Sequence, residues 1–353
     1  MKAFIKKLIV GSSLFFLNTQ LTAAAGTIVN FEEQFAVHRL AQLQTVDSGP
    51  TLIFSDSPEN IKRPGIAYRD LVSGEIRIFF HHVNETADTK ILAVLLRNRS
   101  LAPIKVTVTK RGVSGPDKDW MRAGQIAQQE YFMPYREQSF TIGVLDSREL
   151  LSGKNGLKFE PWELITGIID LKISGQAELS VLMSSVHSDA AVAADTLPIL
   201  PVDQEPPLRG TFANANRRIT VANADENDPR PLVIRLADGV EDKFLRGVDA
   251  LTGKPAYNYG NYGVVYTVDY LPELRKTKYW GFNAEGGYYA GVGVLRTAKS
   301  EQYHLLPPVG STFGQISDNE TIIAPLPHDY KGSFLFSPPG SSNLPIRIIF
   351  YDK

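Results

Sequence analysis

The side chains with the clearest chemical potential form an aromatic run. Tyr257-Asn258-Tyr259-Gly260-Asn261-Tyr262-Gly263 leads into Tyr266, with Tyr270, Tyr279, Trp280, Phe282, Tyr288 and Tyr289 close behind in sequence. Tyr and Trp join an apolar ring to a polar tip, which suits the surface of a sugar or of another protein. Gly260 and Gly263 would let the backbone turn, or come close to a ligand, without a side chain in the way. Tyr257, Tyr259, Tyr262, Trp280 and Tyr288 are therefore the candidate ligand-binding residues. The competing reading is a strand core with Tyr hydroxyls at its rim, because aromatic residues are normal in strands.

The other chemistry-bearing groups are sparser. Of six His, the adjacent pair His81-His82 is the most suggestive and is the candidate polar site. Neighbouring strand residues point to opposite faces, so the pair is a poor chelate. One is expected at the core edge and the other toward solvent or a partner. Asp225-Glu226-Asn227-Asp228 clusters oxygens as a calcium loop does, but it lacks the loop's Gly and bidentate Glu and runs into Pro229 and Pro231. The pairs Glu160/Glu163 and Asp146/Glu149 would suit glycosidase chemistry only if they faced one cleft, and both read as solvated turns. There is no phosphate loop, no dinucleotide fingerprint, no GxSxG and no HExxH. No catalytic residue, metal or cofactor is assigned from the sequence.

Composition bounds the rest. The 353 residues are 43% hydrophobic and 21% charged, with no Cys. A disordered chain would be less apolar, and disulfides, thiolate metal sites and a catalytic thiol all need Cys. Residues 1–25 have the pattern of a secretory signal: Lys2, Lys6 and Lys7, a short apolar run from Leu8 to Leu17, then Ala23-Ala24-Ala25. That run is too short to span a bilayer, and no later stretch reaches membrane length. Loss of these three Lys, with no acid beside them, takes the formal charge from −1 to −4. A mildly acidic chain has no general field for nucleic acid or an anionic membrane. The expected location is exported: periplasmic, cell-surface or extracellular. Export without Cys points to a bacterium that does not rely on oxidative folding.

The elements that must position these groups read as strands. Residues 75–110 suggest a three-stranded meander, with Ile76, Ile78, Phe80, Val106 and Val108 on one face. A helix is expected within 117–132, capped by Asp117 or Asp119 and stopped by Pro134, with Met121, Ile126 and Phe132 packing down. Leu164–Ile173 and Ala177–Val186 read as a hairpin turning at Ser174-Gly175. The second half shows eight short strands: Arg218–Ala222, Leu232–Leu236, Gly263–Val268, Tyr279–Asn283, Tyr288–Leu295, Thr321–Ala324, Ser333–Phe336 and Ile346–Tyr351. Ala284–Gly287 is a candidate hairpin turn. The expected fold is all-β: two antiparallel β-sandwich-like domains, 26–190 and 208–353, with one short helix in the first and a Pro/Ala-rich linker at 191–207. Sequons at Asn84, Asn98 and Asn319 are expected to be unmodified in a bacterial protein.

Ile76–Asn84, Leu95–Ser100, Lys110–Pro116 and Asn258–Val264 resemble runs in uncharacterised secreted proteins of Firmicutes. Some of these carry a copper-amine-oxidase-N-like stalk domain. The resemblance covers residues from about 50 to the end and implies a cell-envelope location but no activity. Copper is not implied, because no ligand set of His, Met and Cys is visible. Three function classes follow. The first is a non-enzymatic module that binds cell-wall glycan or another envelope protein. The second is a polysaccharide-active hydrolase or lyase with its site between the domains, using His82, His304 and nearby carboxylates as acid and base. The third is a structural subunit that assembles through exposed sheet edges.

Overall fold

A computed structural model describes residues 21–22, 26–151, 155–222, 225, 227–269, 278–297, 300–314, 319–327 and 330–352. Most of the expected signal segment, and Glu226 of the acidic turn, lie outside the described residues. The fold is all-β and sandwich-like. Its strands form three sheets of twelve, seven and six strands among the described residues.

The twelve-stranded sheet is organised by one central strand, Leu164–Ser185, rather than by a meander. Gly65–Asn84 pairs antiparallel along its whole length. On its other side, Ile104–Asp117 pairs with the first half and Lys90–Asn98 with the second. The expected hairpin at Ser174-Gly175 is therefore a bulge in a continuous strand. The ladder steps from Ile173↔Gly74 to Ala177↔Val72, so three residues oppose Ser73. A bulge with Gly on both strands absorbs the extra residues and bends the strand without turning it back. The expected apolar face does form: Ile76, Ile78, Phe80, Val106 and Val108 share one core with Leu92, Val94, Leu171 and Val181.

Two of the sequons turn out to be turn-formers. Asn84 Oδ1 accepts from Thr86 N at 3.0 Å, and its Nδ2 donates to Asp88 O and Phe159 O. Asn98 repeats the pattern, accepting from Ser100 N at 2.7 Å and donating to Ala102 O. Both side chains are fully buried. The Ser/Thr at the third position is where an Asx-turn places it.

After the short helix α1 (Phe31–Phe35), the longer helix α2 (Trp120–Phe132) begins at Asp119, whose side chain accepts from Arg122 N. Its buried face is Ala123, Gly124, Ala127, Tyr131 and Phe132 with Gln125 and Gln128, while Met121 and Ile126 are only half-buried. Small residues win because backbone lies close above them. A Cβ on Gly124 would fall 1.9 Å from Gly340 O. Gln125 and Gln128 are buried because they donate to carbonyls of Gly291, Pro307 and Ser337.

All eight strands expected in the second half are present, distributed between the seven- and six-stranded sheets. The two sheets enclose a core that includes Ile219, Val268, Val294 and Phe336 from one, with Ile234, Trp280, Phe282 and Ile348 from the other. Ala284–Gly287 does turn, with Gly287 N donating to Ala284 O at 3.1 Å. It does not close a hairpin: Tyr279–Asn283 pairs with Glu320–Pro325 and Ile346–Tyr351, and Gly291–Thr297 lies in the other sheet. The turn is a corner between layers, as sandwich connections often are.

Backbone pairing runs across the expected linker. Arg209–Phe212 pairs with Thr51–Ser55 in the twelve-stranded sheet, and Asn216–Val221 pairs with Leu43–Ser48 in the seven-stranded one. The linker segment itself opens with the short helix α3 (Ala190–Thr196), capped by Asp189. Arg77 adds a side-chain bolt. It is 2% exposed, forks onto both oxygens of Asp170, and also donates to Ala215 O, Gly263 O and Asn216 Oδ1. No helix among the described residues is long and apolar enough to cross a membrane.

Candidate functional site

The Tyr-rich segment is folded by its own amides. Asn258 Nδ2 donates to Tyr262 O at 2.8 Å, Asn261 N donates to Asn258 O, and Val264 N donates to Asn261 O. Three residues take left-handed φ: Gly260 at 84°, Asn261 at 51° and Gly263 at 76°. These are the residue types that tolerate that conformation. Asn261 is pinned in turn, because its Oδ1 accepts from Leu245 N and its Nδ2 donates to Tyr266 Oη at 2.7 Å. Gly263 also meets the need for close approach, since a Cβ there would lie 2.8 Å from Leu52 Cδ1.

This loop forms one wall of an open cleft of about 630 Å³. The other walls are Gln204–Leu208, the Ala237–Asp238 turn with Phe244, and Asn343–Pro345. Tyr259 is 39% exposed and meets Phe244 edge-on, with ring centroids 5.4 Å apart. Tyr257, comparably exposed, stands 6.0 Å from Tyr259 and carries the Arg246 guanidinium over its face at 5.7 Å. Tyr262 is half-buried: its ring lies parallel to Phe54, and its hydroxyl donates to Ser342 O at 2.7 Å. Burial and the carboxylates of Asp56 and Glu59 push its hydroxyl pKa up, so it stays a neutral donor. Tyr288 is 51% exposed, and its carbonyl accepts from Asn343 N, which places it beside the Asn343 wall.

Trp280 is a different case. It is wholly buried in the core, tilted against Phe334 and edge-on to His304. Its ring meets no solvent, so it is a packing residue and not a ligand-binding one. The aromatic run thus divides. Tyr259 and Tyr262 line the cleft, Tyr257 stands next to Tyr259 and Tyr288 next to Asn343, while Trp280, Phe282, Tyr266 and Tyr289 fill the sandwich. Phe244, Gln204, Glu205, Asp238 and Asn343 complete the cleft without any sequence signal, since each stands in a turn or irregular segment with no periodicity.

His81 and His82 do point to opposite faces, but neither reaches solvent. His82 Nε2 lies 2.9 Å from Ser55 Oγ, and its Nδ1 lies 2.9 Å from Pro58 O. His81 Nδ1 lies 3.0 Å from Thr166 Oγ1, and its Nε2 lies 3.3 Å from Ser341 Oγ. Both rings are long-strand residues whose two faces are covered, one by the Ser55–Glu59 segment and one by the loop after Phe336. Burial lowers His81 to about 3 and His82 to about 4, so both are neutral at physiological pH. The pairing of His82 with His304 as acid and base does not form. His304 packs on Trp280, and neither histidine lines the cleft.

Three carboxyls stand next to this pair. Asp203 accepts from Ser57 Oγ at 2.7 Å and from Glu59 N at 2.6 Å. Asp56 is buried with Oδ1 lacking a hydrogen-bond partner among the described residues. Its pKa is raised well above the usual range by desolvation, then by Glu59 and Asp203. Among the described residues no group of three or more His, Asp or Glu is arranged to hold a metal ion.

The carboxylate pairs noted in the sequence shape turns instead. Glu163 accepts from Glu160 N at 2.7 Å, and buried Glu149 accepts from Val94 N and Leu151 N. Asp228 forks onto Arg230 at the surface.

No family model matches the chain, and no curated protein matches it. Solved structures that align with it do so faintly. Oxalate decarboxylase from Lactobacillus farciminis in its formate complex is 12% identical, over 95% of this chain and 88% of that one, with a TM-score of 0.19. The CBM22-1–CBM22-2 tandem domain from Paenibacillus barcinonensis Xyn10C is 11% identical, over 87% and 99%, at 0.16. The 11S allergen from Cocos nucifera is 10% identical, over 89% and 90%, at 0.14. Likenesses of this size do not establish a shared fold or a shared function.

Proposed function

We propose that the protein is an exported binding module that takes a glycan in the aromatic cleft. One observation carries the reading. Exposed Tyr259 and half-buried Phe244, rings apolar enough to bury, meet in the lining of an open cleft of about 630 Å³, and exposed Tyr257 stands beside Tyr259. Around them are the polar groups a hydroxylated ligand needs: the Gln204 and Asn343 amides, the Glu205 carboxylate and the backbone of the Gly260 turn. Ring faces cover the apolar side of a sugar, and a few placed polar groups fix its orientation. Export rests on the Lys2–Ala25 pattern, and a cell-wall or extracellular polysaccharide is the partner such a location offers.

The test is retention on insoluble glycans, comparing the natural chain with Tyr257→Ala/Tyr259→Ala. Both rings are partly exposed, so the variant should keep its melting temperature. Retention on at least one glycan, lost in the variant, is the expected result. Equal retention of both proteins would remove the cleft from the account.

A further inference from the structure

One hydroxyl outside the cleft is held against a buried imidazole in an arrangement that glycan binding does not use. Ser341 stands in the loop between the strands ending at Phe336 and beginning at Ile346, with φ at 66°. A non-glycine residue enters that region only under constraint, and such residues cluster at functional sites. Its Oγ lies 3.3 Å from His81 Nε2.

The tautomer of His81 follows from its other neighbour. Thr166 Oγ1 donates its single proton to Phe80 O at 3.1 Å. It can therefore only accept at His81 Nδ1, 3.0 Å away. The ring carries its proton on Nδ1, and Nε2 is left bare to accept from the Ser341 hydroxyl. Gly340 is what lets the loop lie so close, since a Cβ there would sit 2.4 Å from His81 Nδ1. Glu59 Oε1 lies 3.9 Å from Nε2, where positive charge would develop if that nitrogen took a proton. Ser341 is partly exposed and His81 is buried behind it.

We propose that Ser341 and His81 are a nucleophile–base dyad that cleaves carboxylic esters by acyl transfer. Ser341 Oγ attacks the acyl carbon and its proton passes to Nε2. The carbon–oxygen bond to the alcohol breaks, and the leaving alkoxide takes that proton. Water then attacks the acyl-serine, its proton passes to Nε2 and on to Ser341 Oγ, and the carboxylic acid departs. Ester and water become acid and alcohol, with no other reactant. Burial holds His81 to about 3. The imidazole is thus free to accept at neutral pH but is a weak base, and slow turnover is expected.

The experiment treats the full chain with a fluorophosphonate, maps the adduct by mass spectrometry, and follows hydrolysis of p-nitrophenyl acetate. The adduct should fall on Ser341. Ser341→Gly, which suits a φ of 66° and so keeps the fold, should lose the adduct and at least tenfold of the ester hydrolysis. An unlabelled Ser341 in folded protein, or equal hydrolysis by Ser341→Gly, would overturn the dyad. The inference does not rest on the glycan reading.

Discussion

Replacing Arg77 with Met should cost the protein about 3–5 kcal/mol, the penalty for breaking a buried ion pair from one side. The guanidinium is 2% exposed and makes two bonds to Asp170 at 2.7 and 2.9 Å. It also supplies donors to Ala215 O at 2.8 Å, Gly263 O at 3.2 Å and Asn216 Oδ1 at 3.0 Å. Met fills much of the volume but leaves the Asp170 carboxylate, among the described residues, with only the Tyr131 hydroxyl at 2.8 Å and the nearby Lys110. Ala215 O keeps a second donor in Val265 N, so the backbone share of the loss is small and the stranded carboxylate dominates. Urea unfolding followed by fluorescence of Trp120, Trp162 and Trp280 reads the loss. Arg77→Met/Asp170→Leu should recover a good part of it, because a buried pair replaced by apolar residues is often near neutral. A single variant that costs less than about 1 kcal/mol would refute the reasoning, as would a double variant that costs the sum of the two singles.

Three more outcomes follow from the same packing. Trp280→Ala opens a cavity in a fully buried position and should lower stability by about 3–5 kcal/mol, read by urea unfolding. Acid should destabilise the fold through its histidines. His304, lowered to about 4 by burial, binds fewer protons folded than unfolded between about pH 6.5 and 4, so its share of stability falls as pH falls through that window. In His304→Leu that dependence should weaken by roughly 1.4 kcal/mol per pH unit, seen as a growing advantage over the natural chain from pH 6.5 to 4.5. The raised carboxyls of Asp56 and Glu59 run the opposite way, and the comparison with His304→Leu cancels them. Gly124→Ala should loosen α2 from the loop holding Gly340, because its Cβ has only 1.9 Å to Gly340 O, and should cost stability where Ala ordinarily helps a helix.

Local chemistry was legible in the sequence wherever a residue's own type decided the outcome. The Asp119 cap, the left-handed Gly260 and Gly263, and the period-2 face of Ile76, Ile78 and Phe80 are of this kind. Pairing was less legible. Ser174-Gly175 has the composition of a hairpin turn, yet Gly74 opposite it makes a bulge in two long strands instead. Nothing within ten residues distinguishes these outcomes. The partner strand does.

The site shows the same division. Tyr259 and Trp280 have similar chemistry and lie in one aromatic run, but one stands on a turn and the other on an inner strand of a sheet, with its side chain sent into the core. The cleft's other walls come from residues 204–208, 237–244 and 343–345, which meet only after the sheets have formed. Ser341 was invisible for the same reason: its partner His81 is 260 residues away.

The central claim is that ligand lies against Tyr257 and Tyr259. Tyrosine nitration by tetranitromethane, mapped by mass spectrometry with and without a retained glycan, tests it most directly. Both residues, 37% and 39% exposed, should be modified in the free protein and protected when glycan is bound. Unchanged modification of Tyr257 and Tyr259 in the presence of bound glycan would contradict the account, as would failure of every glycan to bind the folded chain.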